Sequence, residues 1–406
     1  MLQFIPPKLT VTPPIKSRPI QKPKLLDPSS PYVFASTHID AGGCSHYRIL
    51  FISQLLSQFH IGAHFFDTRI LFSFRGLFPL LSSYRLQRAC SIQDLEWLNE
   101  MILPAKEKYH FPVVYEIDDI LVLEDIPVYN CFRDIFVEGK DSIPIYMNGS
   151  DAITVTCEPL ANYYSTKFGI PREKFHVIPN YLPRYFFDSY NEVVILDRLS
   201  TQKKRRPRIC FSCGLSHFDM KRTGAGDDFT GILDWIVENR RKYQFIFHGG
   251  FPPALEPYKK DFERITVSSF LNYPRIRRAI HADLYIQPLQ HSLFNECKSP
   301  IKLLESWAEG TPAFVQDLGC YMNIAPDACF DTPEKLDRMV KDLFSDQVEQ
   351  FRIIRSNYAR MDNWWLDNHL DDWLEVMLYP NGRPETEDPG DDSQTESQDG
   401  QIISPP

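Results

Sequence analysis

The sequence predicts an α/β protein built as two doubly wound domains that face each other across a cleft. Short apolar runs of strand length alternate with amphipathic helical runs along most of the chain. The alternation breaks near 184–207, around the charged stretch RLSTQKKRRPR, and then restarts. With 406 residues the chain exceeds what one ordinary core organises, so two domains are the natural division. Repeated strand–helix–strand units imply parallel sheets covered by helices on both faces.

Residues 1–30 are rich in Pro and Lys, lack periodicity, and read as a flexible or surface-draped arm. The first domain is placed at 31–183. In it YVFAST (32–37) reads as a buried strand, and AGGCSHYRILFISQLLSQF (41–59) as a glycine turn opening an amphipathic helix. GAHFFDTR (62–69), FPVVYEID (111–118), AITVTC (152–157) and FHVIPN (175–180) read as further strands, and PLANYYSTKFG (159–169) as a short helix closed by glycine. A basic linker is placed at 184–207. The second domain, 208–345, shows strand ICFSCG (209–214), helix DFTGILDWIVENRRK (228–242), strand QFIFHGG (244–250), helix YPRIRRAIH (273–281), strand DLYIQPL (283–289), the segment 294–312 and strand AFVQ (313–316). Residues 346–380, with Trp364, Trp365 and Trp373, are expected to form closing helices that pack back across the first domain. Residues 381–406 are acidic, polar and expected to be disordered.

Hydrophobic residues make up 43% and aromatics 13% of the chain, enough for sizeable cores. A net charge of −9 gives no global attraction to nucleic acid or to anionic membrane, so such contacts would need a local patch. The proline-rich start has no apolar core of a signal peptide, and no apolar run is long enough to span a bilayer. Nine scattered cysteines fit reduced thiols in a soluble, cytoplasmic protein. Cys210 and Cys213 are the one close pair. An odd offset on a strand puts them on opposite faces, and no second ligand pair exists at zinc spacing, so they read as buried small residues.

The richest segment is FNECKSPIKLLESWAEGTPAFVQ (294–316). Ser299 suits an N-cap and Pro300 the first helical position. Ile301, Leu304 and Ala308 share an apolar face, and Gly310 with Pro312 ends the helix. Lys302, Glu305 and Glu309 form a polar stripe, and Lys298 stands beside the free N–H groups of the helix start. A helix start with an added ammonium is an anion site, and a carboxylate one turn on can accept from two sugar hydroxyls. From the helix alone, this reading and a plain surface pair of Lys302 with Glu305 explain the pattern equally.

SPIKLLESWAEGTPAFVQ resembles the donor-binding segment, SPxKxxEYxAxGxPVV, of GT-B-fold glycosyltransferases of the family 4-like group. The resemblance implies two Rossmann-like domains in GT-B architecture. It implies a nucleotide-diphosphate sugar as donor, backbone phosphate contacts at Ser299, ribose binding by Glu305, and Lys298 near the diphosphate. Where many relatives carry a second glutamate, this chain has Cys297, so Asn295, Glu296 or backbone groups would take that role. CEPLANYYSTKFGIPREKFHVIPNYLP (157–183) is similar to the end of the family's first domain, with Asn180 a candidate to face the cleft. Relatives place an arginine and then a lysine after the first strand of the second domain. Here Leu215 stands at the arginine position and Lys221 at the lysine, with Arg222 as a possible substitute. Such a cation is needed because the leaving diphosphate gathers charge.

Three further segments are expected at the cleft. Gly42 and Gly43, with the weaker candidates His46 and Arg48, form a turn after the first strand that permits close approach to a ligand. Gly249 and Gly250 after a strand suit contact with base or ribose. Asp118 and Asp119 end a buried strand and resemble YDxDD segments of some bacterial and phage glycosyltransferases. They suit activation of an acceptor hydroxyl, stabilisation of positive charge at the anomeric carbon, orientation of a neighbour, Mg²⁺ binding, or simple helix capping. The resemblance implies no essential metal or cofactor besides the donor.

The stretch 71–85 reads as core, with a lipid-surface contact or an acceptor wall as alternatives. KKRRPR (203–208) reads as a solvated linker, or as a phosphate contact for DNA. The expected function is transfer of a hexosyl or pentosyl group to a glycan, lipid or protein hydroxyl, and the resemblance implies retention at the anomeric carbon. The alternatives are a phage-type enzyme modifying hydroxylated pyrimidines in DNA, in a host cytoplasm, and a non-catalytic nucleotide-sugar binder.

Overall fold

The structure, a computed structural model, describes residues 22–26, 32–37, 42–59, 62–65, 72–266 and 269–383. Most of the arm, the acidic tail from 384 and residues 38–41 ahead of the glycine pair lie outside the described residues. The first sheet contains β1 (Val33–Thr37), β2 (Gly62–Phe65), β3 (Ser83–Gln87), β4 (Val113–Glu116), β5 (Ala152–Val155) and β6 (Phe175–Val177) in the order β2-β1-β3-β4-β5-β6. The second contains β7 (Arg208–Cys213), β8 (Gln244–Gly249), β9 (Glu263–Thr266), β10 (Leu284–Gln287), β11 (Ala313–Gln316) and β12 (Cys329–Phe330) in the order β12-β11-β10-β7-β8-β9. Every neighbouring pair is parallel.

Strand order reverses between β1 and β3 in the first sheet and between β7 and β10 in the second. Ligand crevices of doubly wound sheets open at such points, beyond the carboxyl ends of the strands. Three strands escape the sequence pattern. SYRLQ of β3 carries Arg85 and Gln87 into complete burial, which hides a central strand behind polar letters. The β9 strand is a half-exposed edge, and β12 has only two residues. Cys210 and Cys213 do project to opposite faces of β7, one into each of two separate apolar clusters.

Six helices place the cleft residues: α1 (43–57, with a π-helical turn at His46–Leu50), α2 (Tyr273–Ile280), α3 (Leu293–Glu296), α4 (Ile301–Ala308), α5 (Gln347–Arg360) and α6 (Leu370–Leu378). The chain between the sheets is not an open linker. Arg184–Phe187 and Glu192–Gln202 are helical, and Asn191 caps the latter by accepting from the Val193 and Val194 amides. The basic stretch is also not simply solvated. Arg205 grips the buried Asp283 carboxylate at 2.6 and 3.0 Å, and the Arg208 amide donates to the same group at 2.7 Å. These residues lie at the amino end of β7, roughly 17 Å along the strand from its cleft end.

After the second sheet the chain returns to the first. The Leu182 amide donates to the Trp364 carbonyl at 2.9 Å, the Leu366 amide donates back to Leu182 at 2.8 Å, and α6 packs against β3 and β4. Buried Trp373 lies under the Arg48 and Arg85 guanidiniums, 4.5 and 5.7 Å from its ring centroid. The last part of the arm is anchored here too, because the Lys24 and Leu25 amides each donate to Asp371 at 3.2 Å and Leu26 is buried. Trp373→Ala should therefore cost about 3–5 kcal/mol of stability, read as a lower urea midpoint with unchanged slope.

Candidate functional site at the cleft

The connection from β10 to β11 carries the segment singled out above. Ser292 caps α3 by accepting from the Asn295 amide at 3.2 Å. The chain then turns through Lys298, Ser299 and Pro300 into α4. Ser299 is not the N-cap: its hydroxyl makes no capping bond and is buried without a partner, while the Pro300 carbonyl accepts from Leu303 and Leu304. The proline sets the backbone of the turn, so the serine side chain falls outside capping reach. Gly310 ends the helix at φ +68°, where a Cβ would also meet Ile195 at 2.6 Å. Lys298 reaches across the cleft to Asp119 at 3.4 Å and lies over the Phe294 ring.

The polar stripe of α4 is not a surface feature. Glu305 is fully buried. It accepts from Tyr47 of α1 at 2.5 Å and from Tyr273 of α2 at 2.7 Å, with Lys302 at 3.3 Å and Arg277 at 3.4 Å. Lys302 also donates to Tyr273 at 2.7 Å, and Arg277 pairs with Glu309 at 2.5 Å. Burial alone would raise the Glu305 carboxyl, but Lys302, Arg277 and the two tyrosine hydroxyls outweigh it and hold it below the ordinary carboxylate range. Burial works against the Lys302 charge too, yet Glu305 holds it above the ordinary ammonium range. The predicted ribose carboxylate is thus occupied in this arrangement, and its Tyr47 partner comes from the opposite sheet's domain. A small cavity bordered by Ser212, Arg277, Gln287, Lys302 and Ser306 adjoins it.

On the facing wall, Asp118 is nearly buried and pairs with Arg88, which also contacts the Cys44 thiol at 3.3 Å. Burial would raise the Asp118 carboxyl; Arg88 first, then the Cys44 contact and Arg48, hold it below the usual range. Arg88 was not anticipated from sequence, because the strand it follows, β3, was itself hidden. Its φ of +51° is left-handed, a conformation that non-glycine residues hold only when their surroundings enforce it. Arg48, a weaker candidate, is fully buried and structural: it donates to Glu116 at 2.6 Å and to Asn180 at 3.3 Å. That bond also takes Asn180 out of the open cleft.

The remaining candidates divide. Gly43 packs on Phe270 of the second domain, where a Cβ would sit 3.3 Å from the ring, and the His46 ring lies against the same ring, tilted by 35° with centroids 4.4 Å apart. The Gly42 carbonyl lies 2.7 Å from His46 Nδ1. These residues therefore sit at the closed contact between domains. Gly249 adopts φ +105°, and a Cβ there would lie 2.3 Å from the Cys213 carbonyl oxygen; at Gly250 it would lie 2.1 Å from Phe218. Strand-end packing accounts for both glycines without a ligand. Lys221 points outward and pairs with exposed Asp134 at 2.5 Å, and Arg222 is exposed. Asn295 is fully buried and donates to Asp228 at 2.8 Å. Among the described residues no group of three or more His, Cys, Asp or Glu side chains is placed to hold a metal ion, and no helix is long and apolar enough to cross a membrane.

Two parallel doubly wound sheets with facing carboxyl ends, closed by carboxyl-terminal helices that return to the first domain, define a known architecture. The chain has the GT-B fold. Solved structures align over nearly their whole length. Anabaena HepE, solved with UDP and glucose, superposes with a TM-score of 0.58 at 12% identity, covering 86% of this chain and 99% of that one. An α-glucosyltransferase solved with UDP-glucose and DNA containing an abasic site gives 0.57 at 10% identity, covering 85% and 98%. A glycosyltransferase from Rickettsia africae gives 0.54 at 10% identity, covering 86% and 98%. No protein-family model matches the sequence, and no curated protein matches it either. At these identities the likeness establishes the fold.

Two outcomes follow from the Glu305 cluster. Tyr47→Phe removes a hydroxyl bond to a charged group and should lower stability by about 1.5–3 kcal/mol, measured by urea unfolding. Because the folded Glu305 carboxyl lies below its unfolded value of about 4.3, the stability it contributes is present above that pH and is lost as pH falls through the folded value. Glu305→Gln should therefore show a shallower loss of melting temperature between pH 6 and pH 3 than the unaltered protein.

Proposed function

We propose that the protein transfers a sugar from a nucleotide-diphosphate sugar to a hydroxyl acceptor. The observation that carries this is the Lys298–Asp119 pair. A cation at the mouth of an eight-residue helix faces a carboxylate from the opposite domain at 3.4 Å, in a GT-B cleft. In this reading Lys298, the first amides of α4 and the unpartnered Ser299 hydroxyl take the diphosphate. Glu305, steadied by Lys302, takes the ribose hydroxyls once the domains part and Tyr47 withdraws. Gly42 and Gly43 then border the donor instead of Phe270.

The chemistry is a displacement at the anomeric carbon. The bond to the phosphate oxygen breaks with its electron pair staying on the diphosphate, where Lys298 and the helix mouth stabilise the added charge. The acceptor oxygen bonds to the anomeric carbon, and its proton passes to the departing phosphate oxygen. Attack on the same face, with retention, fits the charge pattern. Asp118 is paired with Arg88, which holds its carboxyl below the usual range and makes it a weak base for the acceptor proton. Asp118 then serves to orient Arg88, and Asp119, released when the diphosphate takes Lys298, faces the developing positive charge.

The rim of the cleft speaks to the acceptor. Val128, Phe132, Ile135 and Val137 are exposed on one side, and Leu215 and Met220 on the other. The segment 123–141 carries Glu124, Asp125, Asp134, Glu138 and Asp141 against Arg133 and Lys140. An apolar, acid-rich rim suits a neutral acceptor with an apolar part better than a polyanion. Together with the inward use of Arg205 and Arg208, this weighs against DNA, although one structural neighbour was solved with it.

Neighbours solved with UDP and UDP-glucose make UDP sugars the first donors to try. A matching nucleotide sugar should raise the melting temperature through preferential binding to the folded state. Lys298→Ala should weaken nucleotide-diphosphate binding by about ten-fold or more. The reading fails if no nucleotide sugar shifts the melt and none is hydrolysed. Labelled sugar on hydroxymethylpyrimidine DNA would establish the DNA reading, and an inverted product by NMR would exclude retention. A fully active Asp118→Asn, Asp119→Asn double variant would leave only a binding role for the aspartates' wall.

A further inference from the structure

We infer that His217, held by the buried carboxylate of Asp228, contacts the donor's diphosphate from the loop after β7, the second domain's loop next to the one that carries Lys298. This takes the place of the cation that the loop after β7 lacks at Leu215. The inference rests on the donor reading above. A diphosphate clamped in a cleft needs donors on more than one side, and residues 214–228 are the second domain's other loop at the switch point.

Three side chains in that loop can carry positive charge. Lys221 and Arg222 are exposed, and Lys221 is paired with Asp134. His217 differs. Its Nδ1 lies 2.8 Å from Asp228 Oδ2, its side chain is 15% exposed, and among the described residues Nε2 has no hydrogen-bond partner.

Asp228 is built to hold that ring. Its other oxygen accepts from the Tyr129 hydroxyl at 2.7 Å, the Gln290 amide at 2.9 Å and Asn295 Nδ2 at 2.8 Å. Four bonds leave the carboxylate no freedom to turn, so the imidazole is aimed by a fixed support. Asn295 also links this unit to Lys298, whose amide donates to the Asn295 carbonyl at 3.2 Å. The Asn295 Oδ1 beside it is buried and unpartnered. His217 and Lys298 are thus joined through two buried residues, Asp228 and Asn295, and Tyr129 brings the first domain into the same network. In the proposed complex the ring donates from both nitrogens, Nδ1 to Asp228 and Nε2 to phosphate.

A purely structural staple between His217 and Asp228 would affect folding but not the difference between one phosphate and two. The test is calorimetric binding of UDP, GDP and ADP, each against its monophosphate, to the full chain. His217→Ala should lower diphosphate affinity by about 10- to 100-fold while monophosphate affinity changes less than three-fold. Should His217→Ala lower the melting temperature, His217→Gln decides. Its amide nitrogen can stand where Nε2 stands, and it should retain part of the preference for diphosphate over monophosphate. Equal loss for both ligands, or no loss, in the folded variant overturns the inference alone. An unaltered protein that binds none of the three diphosphates overturns the donor reading and this inference with it.

Discussion

The closed form of the cleft depends on one buried carboxylate. Glu305 stands on a helix of the second domain but completes its hydrogen bonding with Tyr47 of the first. A buried anion is costly unless every acceptor position is filled and a cation is near. Lys302 and Arg277 supply the charge, and Tyr273 and Tyr47 fill the remaining positions. Because one of those partners belongs to the other domain, parting the domains exposes a carboxylate with open acceptor positions. Under the proposed function the same group would then accept from the donor's hydroxyls.

Around that carboxylate acids are matched with cations or donors, and the Lys298–Asp119 pair crosses the gap. Arg88 faces Asp118, Lys298 faces Asp119, and His217 rests on Asp228, which Tyr129 reaches from the first domain. Asp118, Asp119 and Asp228 thus each have a cation or hydrogen-bond donor on a neighbouring loop. Under the proposed function a dianionic ligand would compete directly for Lys298, and opening and binding would then be parts of one equilibrium.

Much of the architecture was legible from periodicity. Strands β1, β4, β5, β7, β8, β10 and β11 are short apolar runs bounded by turns, and burial on both faces leaves that mark whatever the tertiary context. The strand β3 was not legible, because Arg85 and Gln87 are buried by partners far away in sequence, among them Ser36 and Trp373. Losing β3 also concealed Arg88, which has no local signature beyond its place after that strand. Glycines can carry a packing reason that sequence does not show. At Gly249 and Gly250, Cys213 and Phe218 approach so closely that packing already requires glycine, whatever else the strand end contacts.

By itself the sequence determined the two-domain parallel plan, the helix from 301 to 308 with its glycine stop, and the gathering of Lys298, Lys302 and Glu305 at its start. These follow from spacing along one chain segment, which local geometry translates directly into position. Only the tertiary structure decided that Glu305 is sealed by Tyr47, that Asp118 answers to Arg88, that Lys221 faces solvent and that His217 is the supported ring. Each of those outcomes is set by a partner tens to hundreds of residues away or by solvent access. Electrostatic roles depend on distance and burial in space, and sequence spacing carries neither.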